Sequence, residues 1–141
     1  MDMLRDAIRL IPPFKTVGYG AYGQVIRCYA EPTSAVGDEN KYVAVKVLPK
    51  FNDTEEEQTS ASREVLLELD HLWVLKGKDG IAQLLSFTET TFDMQFVFPL
   101  YDEDIHVALT RGLFRKQQNH GDHLPRVCIQ ILRGLCHMHS L

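Results

Sequence analysis

The feature that most constrains this chain is a run of three glycines set between strand-forming residues. Gly18-Tyr19-Gly20-Ala21-Tyr22-Gly23-Gln24-Val25 reads G-x-G-x-x-G-x-V. Phe14 to Tyr19 before it and Gln24 to Ala30 after it are rich in β-branched and aromatic residues, so the pattern predicts a hairpin with a glycine-rich turn. A dinucleotide-binding fold uses similar glycines but runs from them straight into a helix. Here they run into Val25-Ile26-Arg27-Cys28-Tyr29-Ala30, which is strand-like. In a strand–glycine–strand hairpin the backbone can fold over a triphosphate and aim N–H groups at it without a Cβ in the way. Taken alone, the same glycines also suit a plain hairpin with no ligand.

Downstream spacing narrows the choice. Lys46 closes Val43-Ala44-Val45-Lys46, twenty-three residues after Gly23, and Arg63-Glu64 follows eighteen after the lysine. Strand alternation puts Ala44 and Lys46 on one face and Val43, Val45 and Val47 on the other. A lysine in an apolar strand can simply snorkel to the surface, but this one shares its face with a small residue beside the glycines. A helical glutamate is ordinarily solvated; the interval to Lys46 is what singles out Glu64.

The rest of the chain reads as alternating elements. Glu31 to Asn40 gathers Pro, Gly, Ser, Asp and Asn into a surface turn. Lys41 to Leu48 predicts a third strand. A helix is expected from Asp53 or Thr54, where Thr54-x-x-Glu57 has the capping-box pattern, with Val65, Leu66, Leu69, Leu72 and Trp73 at helical spacing. Ile81 to Phe87 and Phe92 to Phe98 predict two further strands. A short helix follows over Asp102 to Arg111. From Asp122 a longer one carries the apolar stripe Cys128, Ile131, Leu132, Leu135 and Met138.

Glycines, lysine and glutamate together resemble the ATP-holding half of a protein kinase. Gly20-Ala21-Tyr22-Gly23 and Gln130-Ile131-Leu132-Arg133-Gly134-Leu135-x-x-x-His139-Ser140 resemble the mitogen-activated and cyclin-dependent serine/threonine kinases. The resemblance covers about residues 10 to 141. It implies an α+β fold: a small lobe with a five-stranded antiparallel sheet and one helix, followed by the first helices of a large lobe. The expected divisions are 1–13 as an N-terminal extension, 14–101 as small lobe and hinge, and 102–141 as the beginning of the large lobe.

The resemblance also implies roles. Val17, Gly18, Tyr19, Gly20, Ala21, Tyr22 and Gly23 would cover the phosphates of ATP, and Val25 and Ala44 would lie against adenine. Glu64 would hold Lys46 toward the α- and β-phosphates. Phe98 would fill the gatekeeper position, the Pro99 carbonyl and the Tyr101 backbone would meet adenine, and Asp104 would reach the ribose, although such an acid also serves as a helix cap. One departure is visible: Glu68 stands where kinases carry an apolar residue four positions after the glutamate. Either the helix is locally shifted, or Glu68 is the pairing acid and Leu72 the stacking residue; the arginine directly before Glu64 and its interval to Lys46 favour Glu64.

No H-R-D-x-x-x-x-N, D-F-G or A-P-E occurs in the 141 residues. By resemblance the chain supplies no catalytic base and no ligand for the Mg that accompanies ATP, and these residues are expected to be inactive alone. Two alternatives stand beside the kinase reading: a non-catalytic binding fragment built on a kinase-like lobe, and a Rossmann-type oxidoreductase, against which the strand after Gly23 speaks. Expected partners are ATP and, in a complete enzyme, a protein substrate.

Composition excludes other classes. A net charge of -4 does not suit a nucleic-acid or anionic-lipid surface. No apolar run reaches the ~18 residues of a membrane span. Cys28, Cys128 and Cys136 are too scattered for a disulfide scaffold, which fits a cytoplasmic or nuclear setting. His120-x-x-His123 and His137-x-His139 lack companions at metal-site spacing.

Overall fold

In the computed structural model, the residues described are 8–20, 23–31, 41–52, 59–60, 63–112 and 123–141. They form two units. One comprises the described residues of 1–74 with Gln83–Leu100; the other comprises Leu75–Ala82 with the described residues of 101–141.

The first unit is a five-stranded antiparallel sheet with one helix. Its strands are β1 (Leu10–Gly20), β2 (Gly23–Ala30), β3 (Lys41–Pro49), β6 (Ser86–Glu89) and β7 (Asp93–Pro99), in the order β1-β2-β3-β7-β6. Two-residue strands β4 (Phe51–Asn52) and β5 (Thr59–Ser60) form a separate pair. Helix α1 spans Arg63–Val74.

Alternation along β3 assigns the two faces. Val43 and Val45 are buried with Cys28, Ala30, Val97 and Ile8, and Ile26, Val47 and Leu85 pack against them. On the opposite face Leu48, Met94 and Phe96 are buried with Val65 of α1 and Leu84, and Leu69, Leu72, Phe87 and Phe98 pack around that group. Helix α1 therefore covers the face that carries Lys46. Its own hold is light, because Val65 is its one buried residue.

A buried lysine pins the end of β3. Lys50 donates from Nζ to Glu89 Oε1 at 2.6 Å and to the Thr90 carbonyl at 2.7 Å, and its N–H donates to the Phe92 carbonyl at 2.8 Å. Thr90 closes the β6–β7 turn from within: its hydroxyl donates to Asp93 Oδ1 and accepts from the N–H groups of Phe92 and Asp93.

The second unit holds α2 (Ile105–Thr110) and α3 (His123–His139) with the turn at 75–82. Gly80 adopts φ +77, and a Cβ there would strike the Gln130 carbonyl; a Cβ on Gly134 would lie 2.6 Å from the Gly80 carbonyl. Two glycines thus let the turn and the helix backbone touch. The rest of α3 is bare: Leu124, Ile131, Leu132 and Met138 are all exposed.

Three expectations need correction. The helix expected from Asp53 or Thr54 begins at Arg63, because Thr59–Ser60 pairs with Phe51–Asn52; Thr54 and Glu57 lie outside the described residues. The strand expected over Ile81 to Phe87 is Ser86–Glu89. Ile81 belongs with the helical unit, its Cδ1 reaching toward Gly134, so its apolar character serves helix packing. The short helix expected over Asp102 to Arg111 occupies only Ile105–Thr110.

Candidate functional site

Strand register assembles the site across the sheet. Val25 stands opposite Lys46, and Lys46 opposite Phe96. Ala44 stands opposite Phe98. Gly18 stands opposite Val25 on the outer side. Because directly opposed residues of an antiparallel pair share a face, Gly18, Val25, Ala44, Lys46 and Phe98 lie on one surface.

Val17 sits at an irregularity between two paired positions. Thr16 pairs with Ile26 and Gly18 with Val25, so the β1 strand carries one residue more than its partner. Such a bulge re-aims the local side chain, here at the position beside Gly18. Tyr19 pairs with Gln24, which belongs to the opposite face, and is strongly exposed. Ala21 and Tyr22 lie outside the described residues.

The three glycines are not equivalent. At Gly23, φ is +153 and a Cβ would collide with the Val47 carbonyl of β3. The fold itself requires glycine there. At Gly20 the nearest atom is 3.9 Å away, and at Gly18 nothing lies within 4 Å. Among the described residues, packing does not ask for glycine at these two positions.

Lys46 is held by a carboxylate. Its Nζ donates to both oxygens of Glu68, at 2.6 and 2.8 Å. Both side chains are about one-third exposed, so the pair is accessible from solvent. The partner is thus Glu68 and not Glu64, which corrects the preference drawn from sequence spacing. Helix α1 starts at Arg63 and presents its second turn to the lysine, with Glu68 half-buried while Glu64 is exposed. Leu72, four residues on, packs against the cluster of Phe96 and Leu84. That is the alternative the odd Glu68 had signalled.

The remaining candidates divide between the units. Pro99 pairs with Val43 at the end of β7, on the face opposite Lys46. Tyr101 and Asp104 belong to the helical unit. Tyr101 is exposed. Asp104 is the N-cap of α2, its Oδ1 accepting from the Val107 N–H at 2.8 Å. That bond satisfies one of the helix's orphan donors, which is the capping role such an acid commonly fills.

Two titrating groups on β2 are displaced. Burial raises the Cys28 thiol above its ordinary value. A side-chain hydrogen bond with Tyr42 is the main cause raising the Tyr29 phenol. Neither group borders Lys46 in the register, so they bear on stability and not on the site.

The sheet face offers an ammonium oriented by a carboxylate, two open glycines and a small residue backed by Val25. Among the described residues no group of three or more His, Cys, Asp or Glu is placed to hold a metal ion. No helix among them is long and apolar enough to cross a membrane.

Comparison with known proteins agrees with this geometry. The family model described as the protein kinase domain matches residues 13–141. Mitogen-activated protein kinase 13 of Arabidopsis thaliana is 34% identical over 134 residues, covering 94% of this chain and 34% of that protein. Mitogen-activated protein kinase 5 of the same plant is 31% identical over 134 residues, 94% of this chain and 32% of the relative. Mitogen-activated protein kinase homolog 1 of Petunia hybrida is 32% identical over 132 residues, 91% of this chain and 31% of its own length. The chain spans about a third of the length of these curated relatives.

Proposed function

The chain belongs to the protein kinase family, and we propose that it is the ATP-binding part of a serine/threonine kinase of the mitogen-activated type. The observation that carries the proposal is Lys46, bound through both oxygens of Glu68 on the sheet face of Gly18, Val25 and Ala44. An ammonium held by an acid and screened from open water on one side is a fixed positive charge for phosphate oxygens.

In this proposal the N–H groups of the β1–β2 turn and the Lys46 ammonium take the phosphates. Val25 and Ala44 form the apolar floor for the purine, with Phe98 at its inner edge. The carbonyl of Pro99 and the backbone of Tyr101 are proposed adenine contacts. Asp104 is kept as a ribose contact only if its cap bond to Val107 is given up. Magnesium, when bound with ATP, neutralises phosphate charge; its ligands and the catalytic base are assigned to sequence other than these 141 residues. Protein substrates belong to the same proposal by likeness to the relatives, and a cytoplasmic or nuclear setting by the scatter of the three cysteines.

The test is titration of the 141-residue chain with a fluorescent ATP analogue, read beside Lys46→Met. Saturable binding that ATP displaces and Lys46→Met weakens supports the proposal. Binding indifferent to Lys46 would refute it.

A further inference from the structure

The sheet face of Lys46 continues beyond the candidate nucleotide site to a second group of charges. Lys15 of β1 stands directly opposite Arg27 of β2, and Arg27 stands opposite Ala44. Like charges directly opposed across strands repel one another. Several other cations do meet acids: Arg9 meets Glu31, Lys46 meets Glu68 and Lys50 meets Glu89. Among the described residues neither Lys15 nor Arg27 has such a partner.

The arginine is also held in place. Its Cζ lies 4.6 Å from the centre of the Tyr42 ring. Tyr42 in turn stacks on Tyr29 with ring centres 3.9 Å apart and planes 27° from parallel. Stacking fixes the guanidinium plane and leaves its N–H edge for an acceptor, which lowers the entropy lost when a carboxylate binds. On the outer side, β1 is the edge of the sheet, and Lys15 on it is exposed. An extended chain can lie along such an edge.

We propose that Lys15 and Arg27, backed by the Tyr29–Tyr42 stack, form a docking patch for an extended acidic segment of a partner protein. Charge complementarity argues for the occupant: two directly opposed cations, with no acid partner among the described residues, on a chain of net charge -4, suit carboxylates. The two cations lie on adjacent strands of one sheet face, a spacing that suits carboxylates along an extended peptide. The inference does not depend on the nucleotide reading, because it uses neither the glycines nor Lys46.

The test measures fluorescence anisotropy of a labelled octaglutamate peptide titrated with the 141-residue chain, with labelled octaglutamine as control. Binding of octaglutamate alone is expected, weakened about tenfold or more by Lys15→Glu and by Arg27→Glu. Lys15 is exposed, so Lys15→Glu keeps the test valid if Arg27→Glu disturbs the sheet; far-ultraviolet circular dichroism checks each variant. ATP at saturating concentration should leave peptide binding in place. Equal binding of octaglutamine, indifference to Lys15→Glu, or complete displacement by ATP would each overturn the patch. A failure of ATP binding with octaglutamate binding intact would contradict the proposed function and not this inference.

Discussion

Lys46 and Glu68 meet through both carboxylate oxygens, twenty-two residues apart in sequence and on different elements. Four residues earlier on the same helix, Glu64 sits one turn away. Half-exposed ion pairs contribute up to about 1 kcal/mol, so the two acids can be separated by measurement. Glu68→Gln is expected to lower nucleotide affinity by up to about fivefold. Glu64→Gln should change it less than about twofold. A reversal of that order, seen by fluorescence titration, would return the pairing role to Glu64.

The contact of Gly80 and Gly134 predicts a stability effect in the helical unit. A methyl group at Gly134 would lie 2.6 Å from the Gly80 carbonyl, so turn and helix must part to admit it. Gly134→Ala should destabilise the chain by about 1–3 kcal/mol, even though alanine is the better helix former. Gly77→Ala is a useful comparison: Gly77 has φ +80 with nothing within 4 Å of its added Cβ, so its cost is backbone strain alone. Urea denaturation of both variants checks this; a stabilised Gly134→Ala would contradict the close packing.

Cysteine chemistry separates buried from exposed thiols. Cys28 is fully buried in the core of β2 and β3, while Cys128 and Cys136 are exposed on α3. Burial raises the Cys28 thiol, so its thiolate is disfavoured in the folded state. The associated stability is complete below the ordinary thiol pKa and is lost as pH rises through the higher folded value. At pH 8 a thiol reagent should label two cysteines quickly and the third only on unfolding. Three equally fast thiols would show the sheet core to be open.

Much of the sheet was legible because strand alternation has a strict period of two. Val43 and Val45 are buried and Lys46 is not, as their parity required. The α1 start was misread because Thr54-x-x-Glu57 has a capping pattern in the sequence, whereas Thr59 and Ser60 enter a strand pair. Glu68 gave a signal in the sequence, an acid at an apolar position, but spacing alone could not choose between carboxylates one turn apart. The patch of Lys15 and Arg27 left no local trace, since only the pairing of β1 with β2 brings those residues together.

The uncovered face of α3 predicts self-association. Ile131, Leu132, Leu135 and Met138 are between 38% and 59% exposed on one helix, an apolar surface of the kind that soluble monomers rarely leave contiguous. Sedimentation velocity of the 141-residue chain should show concentration-dependent oligomers. Leu132→Glu with Leu135→Lys should shift the distribution to monomer. A monodisperse parent chain would contradict the exposure of that helix.

In the proposed function, Lys46 anchors a triphosphate on the sheet face beneath Gly18 and Gly20. Isothermal titration of the 141-residue chain with Mg-ATP, repeated with Lys46→Met, tests it most directly. Saturable binding by the parent chain and a loss of about tenfold or more in Lys46→Met, with the fold intact by circular dichroism, is the predicted result. Equal affinity in the two proteins, or no binding by the parent chain, would contradict the account.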